Sequence, residues 1–269
     1  MRKITKNDRI GYITKTLSEN PKRVYTLNYF ADYFNCAKST LSEDIDYVRH
    51  IFSDFSLGEI ETISGAAGGV QYIPSLTEEQ KKEFCQHLCQ VINNKERIIT
   101  GGFIYTNDIL FDPSITSMIG KMLADPYQKV DVDYVVTIEA KGIPIALMTA
   151  KMLNKPMIVI RKSARLTEGT TIQMNYITGS SRRIQTMAVP KKAIPKGSKV
   201  LFVDDFMKAG GTAKGVTDLM KECEAEVVGI GVVMTTAEPR EKLINNYQSL
   251  VVLENVDDVN QVINVYPSK

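Results

Sequence analysis

The sequence predicts an α/β protein in two parts: a small tri-helical module closed by a β-hairpin, then a doubly wound, mostly parallel sheet. Three observations carry this. Three apolar runs at helical spacing fill the first 52 residues, two short strand-type runs follow between residues 59 and 73, and from about residue 99 strand-type runs alternate with helical stretches. At 269 residues the chain is long enough for two cores.

Ile10, Ile13 and Leu17 mark one face of a first helix that Asn20 and Pro21 end. Leu27, Phe30, Ala31 and Phe34 form a second face, and Leu41, Ile45, Val48 and Phe52 a third. The gap between the second and third runs, Asn35-Cys36-Ala37, has the length of the turn in a helix-turn-helix. Thr40 and Glu43 fit a capping box near the start of the third helix. EIETI and GVQYI, joined by SGAAG and stopped by Pro74, read as a hairpin, so residues 1–74 are expected to form a winged helix-turn-helix domain. In that arrangement the third helix enters the major groove of double-stranded DNA. Lys38, Ser39, Thr40, Ser42 and Arg49 on it, with Arg2, Lys3 and Lys6 at the amino terminus, are the expected base and phosphate contacts. Glu43, Asp44 and Asp46 would repel phosphate there, so they must turn aside, cap the helix or read a cytosine amino group.

Residues 75–98 read as a linker helix, with Thr77 as its cap and Glu78 and Glu79 in its first turn. Cys85 and Cys89 lie four apart with His87 between them, but there is no second ligand pair, so a packed helix face is expected rather than a metal site. In residues 99–269, Val132–Ile138, Met157–Ile160, Val200–Val203 and Val227–Met234 are strand-type. Pro144–Leu153 and Thr212–Cys223 are helical. Ligands of such sheets bind at the carboxyl ends of the strands.

The most informative segment is VLFVDDFMKAGGT, residues 200–212. Its strand delivers Asp204 and Asp205 to the sheet edge, where neighbouring carboxylates can accept hydrogen bonds from a vicinal ribose diol. Lys208, Ala209, Gly210, Gly211 and Thr212 then form a loop whose amides can surround a phosphate at a helix N-terminus. The segment resembles the phosphoribosyl pyrophosphate (PRPP) signature of type I phosphoribosyltransferases. The resemblance implies that Asp204, Asp205, Phe206, Met207, Lys208, Ala209, Gly210, Gly211 and Thr212 hold ribose and 5-phosphate. Ala209 stands where many of those enzymes carry threonine, which removes a hydroxyl but leaves the loop amides. Thr137 to Pro144 resembles the family's pyrophosphate loop, implying a role for Ala140, Lys141 and Gly142. Val159 to Lys162 resembles the strand end leading into its flexible loop, with Arg161 and Lys162 toward the pyrophosphate. Phe206 and Tyr105 are aromatic surfaces for a base or ribose, though packing is the expected role of each.

From Gly169 to Val203 there is no Asp or Glu, whereas adenine-type enzymes are expected to carry a carboxylate in that loop. No residue is therefore assigned a catalytic role. Winged helix, linker and this particular domain together resemble, along essentially the whole chain, the purine operon repressors of Gram-positive bacteria. The resemblance implies a homodimeric repressor of purine synthesis and transport genes, with PRPP, alone or with Mg²⁺, as inducer. Guanosine tetraphosphate or pentaphosphate would oppose it at the same site. No cofactor is required, and no metal is held by protein side chains alone. Two alternatives remain: a bifunctional purine phosphoribosyltransferase, separable by nucleotide formation from each base, and an RNA-binding attenuator, separable by competition between duplex DNA and RNA.

The net charge of +2 is unevenly spread. Residues 161–199 carry nine Lys or Arg against Glu168 alone, so an anionic ligand there would weaken any attraction to DNA phosphate. No apolar run approaches the roughly 20 residues that span a bilayer, and four scattered cysteines make no disulfide framework. A cytoplasmic protein with no membrane partner is the expectation.

Overall fold

A computed structural model describes residues 3–65, 68–177 and 184–268. The chain divides into two compact units, the first being Met1–Thr77 together with Lys151–Asn154 and the second Glu78–Ala150 with Lys155–Lys269.

The first unit contains α1 (Lys6–Glu19), α2 (Leu27–Phe34), α3 (Lys38–Asp54), β1 (Glu59–Ile63) and β2 (Gly69–Ile73). Each helix contributes its expected apolar face to one core, in which Ile13, Leu17, Phe30, Leu41, Val48 and Phe52 are buried with Ile60 and Val70 of the hairpin. The hairpin is antiparallel and in register from Glu59–Ile73 to Ile63–Gly69, and Tyr25 adds a bridge to Val70. The capping box lies elsewhere than expected. Thr5 and Asp8 form one at the start of α1. In α3 the cap position is Ala37, without a side-chain bond, because the helix begins at Lys38 and already contains Thr40 and Glu43.

The second unit begins with α4 (Glu78–Ile92), β3 (Ile98–Ile99), β4 (Phe103–Ile104), α5 (Asn107–Leu110) and α6 (Pro113–Ala124). It continues with β5 (Tyr134–Ile138), α7 (Gly142–Leu153), β6 (Met157–Ile160), β7 (Thr171–Ile177) and β8 (Ile184–Pro190). Last come β9 (Lys199–Met207), α8 (Gly211–Glu222), β10 (Glu226–Thr236), β11 (Gln248–Asp257) and β12 (Val262–Pro267). The main sheet has the order β12-β11-β10-β9-β5-β6, all parallel except β12.

The central strands are buried on both faces, as a parallel sheet covered by helices requires. Val136, Phe202 and Ile230 point into a core with Val216, Leu219 and Met220 of α8 and with Met187 and Val189 of β8. On the opposite face Gly231 faces Leu123 of α6. The helix foreseen as a linker is α4, and it packs on β11 and β12 as part of this unit. Cys85 and Cys89 are buried on it beside Leu88 and Ile92, and burial with the neighbouring Cys85 pushes the Cys89 thiol up to about 11. Among the described residues no group of three or more His, Cys, Asp or Glu could hold a metal, and no helix is long and apolar enough to cross a membrane.

Candidate phosphoribosyl and nucleic-acid sites

β5 leads outward through α7 to β6 on one side, while β9 leads through α8 to β10 on the other. The carboxyl ends of β5 and β9 therefore flank a topological switch point, where the loops diverge and leave a crevice. The loop Glu139–Lys141 follows β5 and the loop Lys208–Gly210 follows β9.

β9 runs farther than its apolar run suggested. Its ladder with β10 continues through Asp204–Val232 and Phe206–Met234 to Met207–Thr235, so both acids sit within the strand. Asp204 is 7% exposed, and its carboxyl is held well above the usual carboxylate range by burial and by the Asp205 charge. One oxygen of Asp204 accepts the Asp205 N–H at 2.9 Å. Asp205 is only half-buried and faces the crevice-side cavity described below.

Gly210 adopts a left-handed backbone (φ 81°) as the cap of α8. The first intrahelical bond there runs from the Lys214 N–H to the Gly210 carbonyl at 2.9 Å. The preceding amides have no intrahelical acceptor, which is the arrangement that binds phosphate. Phe202, Asp204 and residues 206–213 line a cavity of about 130 Å³ at this point. Within the loop Lys208 is exposed, whereas the Met207 side chain is buried in the core and can offer only backbone.

The β5 loop fits against β9 because residue 142 has no side chain. A Cβ on Gly142 would strike the Thr137 hydroxyl and come within 2.9 Å of Asp204 Oδ1. Lys141 reaches across the crevice to the Thr106 hydroxyl at 3.4 Å. Arg161 has a different immediate role from the one expected. It ion-pairs with Glu139 at 3.2 Å and with Glu168 at 3.1 Å, and its backbone bridges to Ala188 of β8. The Lys162 backbone N–H donates to Glu139 at 2.7 Å, and this bond together with Arg161 holds Glu139 below the usual carboxylate range. The Lys162 side chain is exposed, and its charge bears on Asp204.

Three features escaped the sequence reading. The first is a cavity of about 210 Å³ walled by Leu88, Ile92, Phe103, Ile104, Ile109 and Leu110, with Lys141, Asp205 and Phe206 at its polar end. Its walls come from α4, which the sequence marked only as a linker helix, and from β4 and α5, which are too short for a periodic signal. The second is the exposure of Tyr105 (46%) and Phe206 (37%), which are not packed away as expected. The third is Tyr176 of β7. It is buried and donates a hydrogen bond to Gln185 at 2.8 Å. The β7–β8 stem packs on α8 so closely that a Cβ on Gly215 would lie 2.9 Å from the Tyr176 Cβ.

In the first unit Lys3, Lys38, Ser39 and Ser42 are exposed and Thr40 is half-buried. Lys6 lies over the Tyr47 ring, 5.2 Å from its centroid. Arg2 lies outside the described residues, as do residues 66–67 of the hairpin turn and Arg182 and Arg183 of the basic segment. Arg49 binds the wing, donating to the Ile60 carbonyl at 3.1 Å and to Thr62 at 2.8 Å, and it also pairs with Asp46. Of Glu43, Asp44 and Asp46 on α3, Asp44 turns inward. It is 1% exposed and bonded to Arg9 of α1 at 2.6 Å. A groove of about 370 Å³ between α3 and the wing is lined by Lys38, Ser42, Arg49 and Thr62.

Fold and site together define a protein with a phosphoribosyltransferase domain joined to a helix-turn-helix module of the kind transcription regulators carry. Residues 5–74 match the family model described as bacterial purine repressor, N-terminal, and residues 107–268 match the phosphoribosyl transferase domain. The chain is 40% identical over 255 residues to the purine biosynthesis transcriptional repressor PurR of Bacillus subtilis, spanning 95% of this chain and 90% of that protein. It is 36% identical to the purine biosynthesis transcriptional activator PurR of Lactococcus lactis, across 97% and 96% of the two chains. It belongs to this family of purine biosynthesis transcriptional regulators. A xanthine phosphoribosyltransferase of L. lactis is 34% identical over 175 residues, 61% of this chain. The crystal structure of an adenine phosphoribosyltransferase from Thermoanaerobacter pseudethanolicus superposes with a TM-score of 0.53 at 20% identity, covering 62% of this chain and 98% of that one, a likeness of fold.

Proposed function

We propose that this protein is a cytoplasmic, homodimeric repressor that binds operator DNA of purine synthesis and transport genes and is released by PRPP. The observation that carries the reading is the convergence of Asp204, Asp205, the Gly210 loop and the Gly142 loop at one switch point, in a chain whose other unit matches bacterial purine repressors. The acids suit a ribose diol, the α8 amides a 5-phosphate, and Ala140, Lys141 and Gly142 a pyrophosphate. Mg²⁺ would arrive with the pyrophosphate. Guanosine tetraphosphate or pentaphosphate shares the polyphosphate chemistry, and the apolar cavity beside Asp205 offers its base a place.

Catalysis is not part of this proposal. Between Arg161 and Lys199 the one acidic residue is Glu168, and it is already paired with Arg161. No carboxylate remains there to manage a purine proton. The 40% identity to the B. subtilis repressor over nearly the whole chain supports repression. The L. lactis activator is similar along 96% of its length, so the sign of control is to be read from a promoter assay.

The test is titration of the protein onto a labelled purine-promoter duplex at fixed salt, with and without PRPP, beside a scrambled duplex. Sequence-dependent binding that PRPP weakens is expected. Full operator affinity at saturating PRPP would overturn the sensor reading, and nucleotide formation from PRPP and a purine base would overturn the non-catalytic one.

A further inference from the structure

The 5-phosphate loop is braced from outside by a second loop, which follows β10. The Leu243 N–H donates to the Ala209 carbonyl at 2.9 Å. The backbone nitrogens of Leu243 and Ile244 would lie 3.4 Å from a Cβ on Gly210, so they form the wall against which the left-handed residue is seated. Thr235 donates to the Met207 carbonyl at 3.1 Å. The Thr236 hydroxyl lies 2.6 Å from the Glu238 carbonyl and 3.2 Å from that of Lys208, and its single proton serves one or the other.

At the centre of this loop stands Lys242. Its ammonium donates to the Thr236 carbonyl at 2.8 Å and to the Pro239 carbonyl at 2.9 Å, with the Thr236 hydroxyl at 3.4 Å. None of these acceptors is a carboxylate. An ammonium group spends three donors on neutral oxygens here, and partial burial lowers its pKa. Glu238 lies near enough to act on it through space, but its carboxylate turns to Arg240 at 3.3 Å. The turn is thus built around a positive charge that has no carboxylate paired with it among the described residues, behind a loop shaped for a phosphate dianion.

We propose that Lys242 is a positioning residue of the phosphate loop: it shapes the Thr236–Leu243 turn that seats Ala209 and Gly210, and so favours a ligand carrying a phosphate monoester. This rests on the phosphoribosyl reading above. The ammonium acts through the turn and not by contact with the ligand, so its removal should act selectively on the monoester end. Pyrophosphate, bound by the loop after β5, provides the comparison.

The experiment is calorimetric titration of the full-length protein, unmodified and as Lys242→Met and Lys242→Arg, with PRPP, ribose 5-phosphate and inorganic pyrophosphate. Lys242→Met should weaken ribose 5-phosphate and PRPP about tenfold, roughly one pKa unit's worth of interaction. Pyrophosphate should stay within about twofold, and Lys242→Arg should recover most of the loss. The proposal is overturned if Lys242→Met leaves ribose 5-phosphate unchanged. An equal loss of pyrophosphate with no rescue by arginine would also overturn it, because that pattern reports general loosening. Absence of PRPP binding by the unmodified protein would remove the underlying ligand reading as well, whereas normal PRPP binding by Lys242→Met removes this proposal alone.

Discussion

Replacing Arg9 with methionine is expected to loosen the DNA-binding unit far more than its place near the amino terminus suggests. Arg9 and Asp44 join α1 to α3 at 2.6 Å, with side-chain exposures of 13% and 1%. Arg9→Met keeps the aliphatic stem but leaves the Asp44 carboxylate buried without its partner. Breaking a buried pair in this way typically costs roughly 3–5 kcal/mol, most of it the penalty for the stranded charge. At about 1.4 kcal/mol per factor of ten, that corresponds to local opening favoured roughly 10²-fold to several thousandfold. Hydrogen exchange of full-length protein, read on peptides from α1 and α3, isolates this unit from the other. A control is Lys15→Met, which breaks an exposed pair with Glu19 worth about 0.3–0.5 kcal/mol. The double variant Arg9→Met, Asp44→Leu should recover much of the protection. Exchange accelerated less than about fivefold in Arg9→Met would refute the reasoning, since Asp44 would then have found water or another donor.

Gly142→Ala should abolish the PRPP response and leave operator binding intact, because the added methyl would land between Thr137 and Asp204. Overpacking of this kind costs about 1–3 kcal/mol, and a variant that still responds to PRPP would show that the β5 loop shifts freely. Glu139→Gln should tighten PRPP binding several-fold by releasing Arg161 from one of its two carboxylates and removing a negative charge beside the pyrophosphate loop; weaker binding would mean that the carboxylate's main task is to hold that loop in place. Asp204→Asn should lose PRPP binding yet raise the melting temperature. The buried carboxyl keeps a proton that the unfolded chain releases, so stability falls as pH rises from the ordinary carboxylate range through its raised value. The gain from asparagine should therefore be larger at pH 8 than at pH 5 by calorimetry, and an equal gain at both would count against the assignment.

The sequence alone located the elements of the first unit and several strands and helices of the second, but not α6, β7, β8, β11 or β12. Helical spacing placed Ile13, Phe30 and Val48 in one core, and EIETI and GVQYI became strands with the expected ends. The acids and glycines of residues 204–211 marked the phosphate loop because a strand, a ribose acceptor and a phosphate cradle are contiguous in the chain. Tertiary structure decided what depends on partners far apart in sequence. β9 reaches Met207 because β10 continues the ladder. Asp44 is a structural anion and not a repulsive one because Arg9, 35 residues away, meets it. Arg161 faces Glu139 and Glu168, and Lys242 braces Ala209 through a turn, pairings that no periodicity encodes. Residue spacing sets which face a side chain occupies. Whether its charge is spent on a neighbour or left for a ligand is an electrostatic balance that only the assembled fold determines.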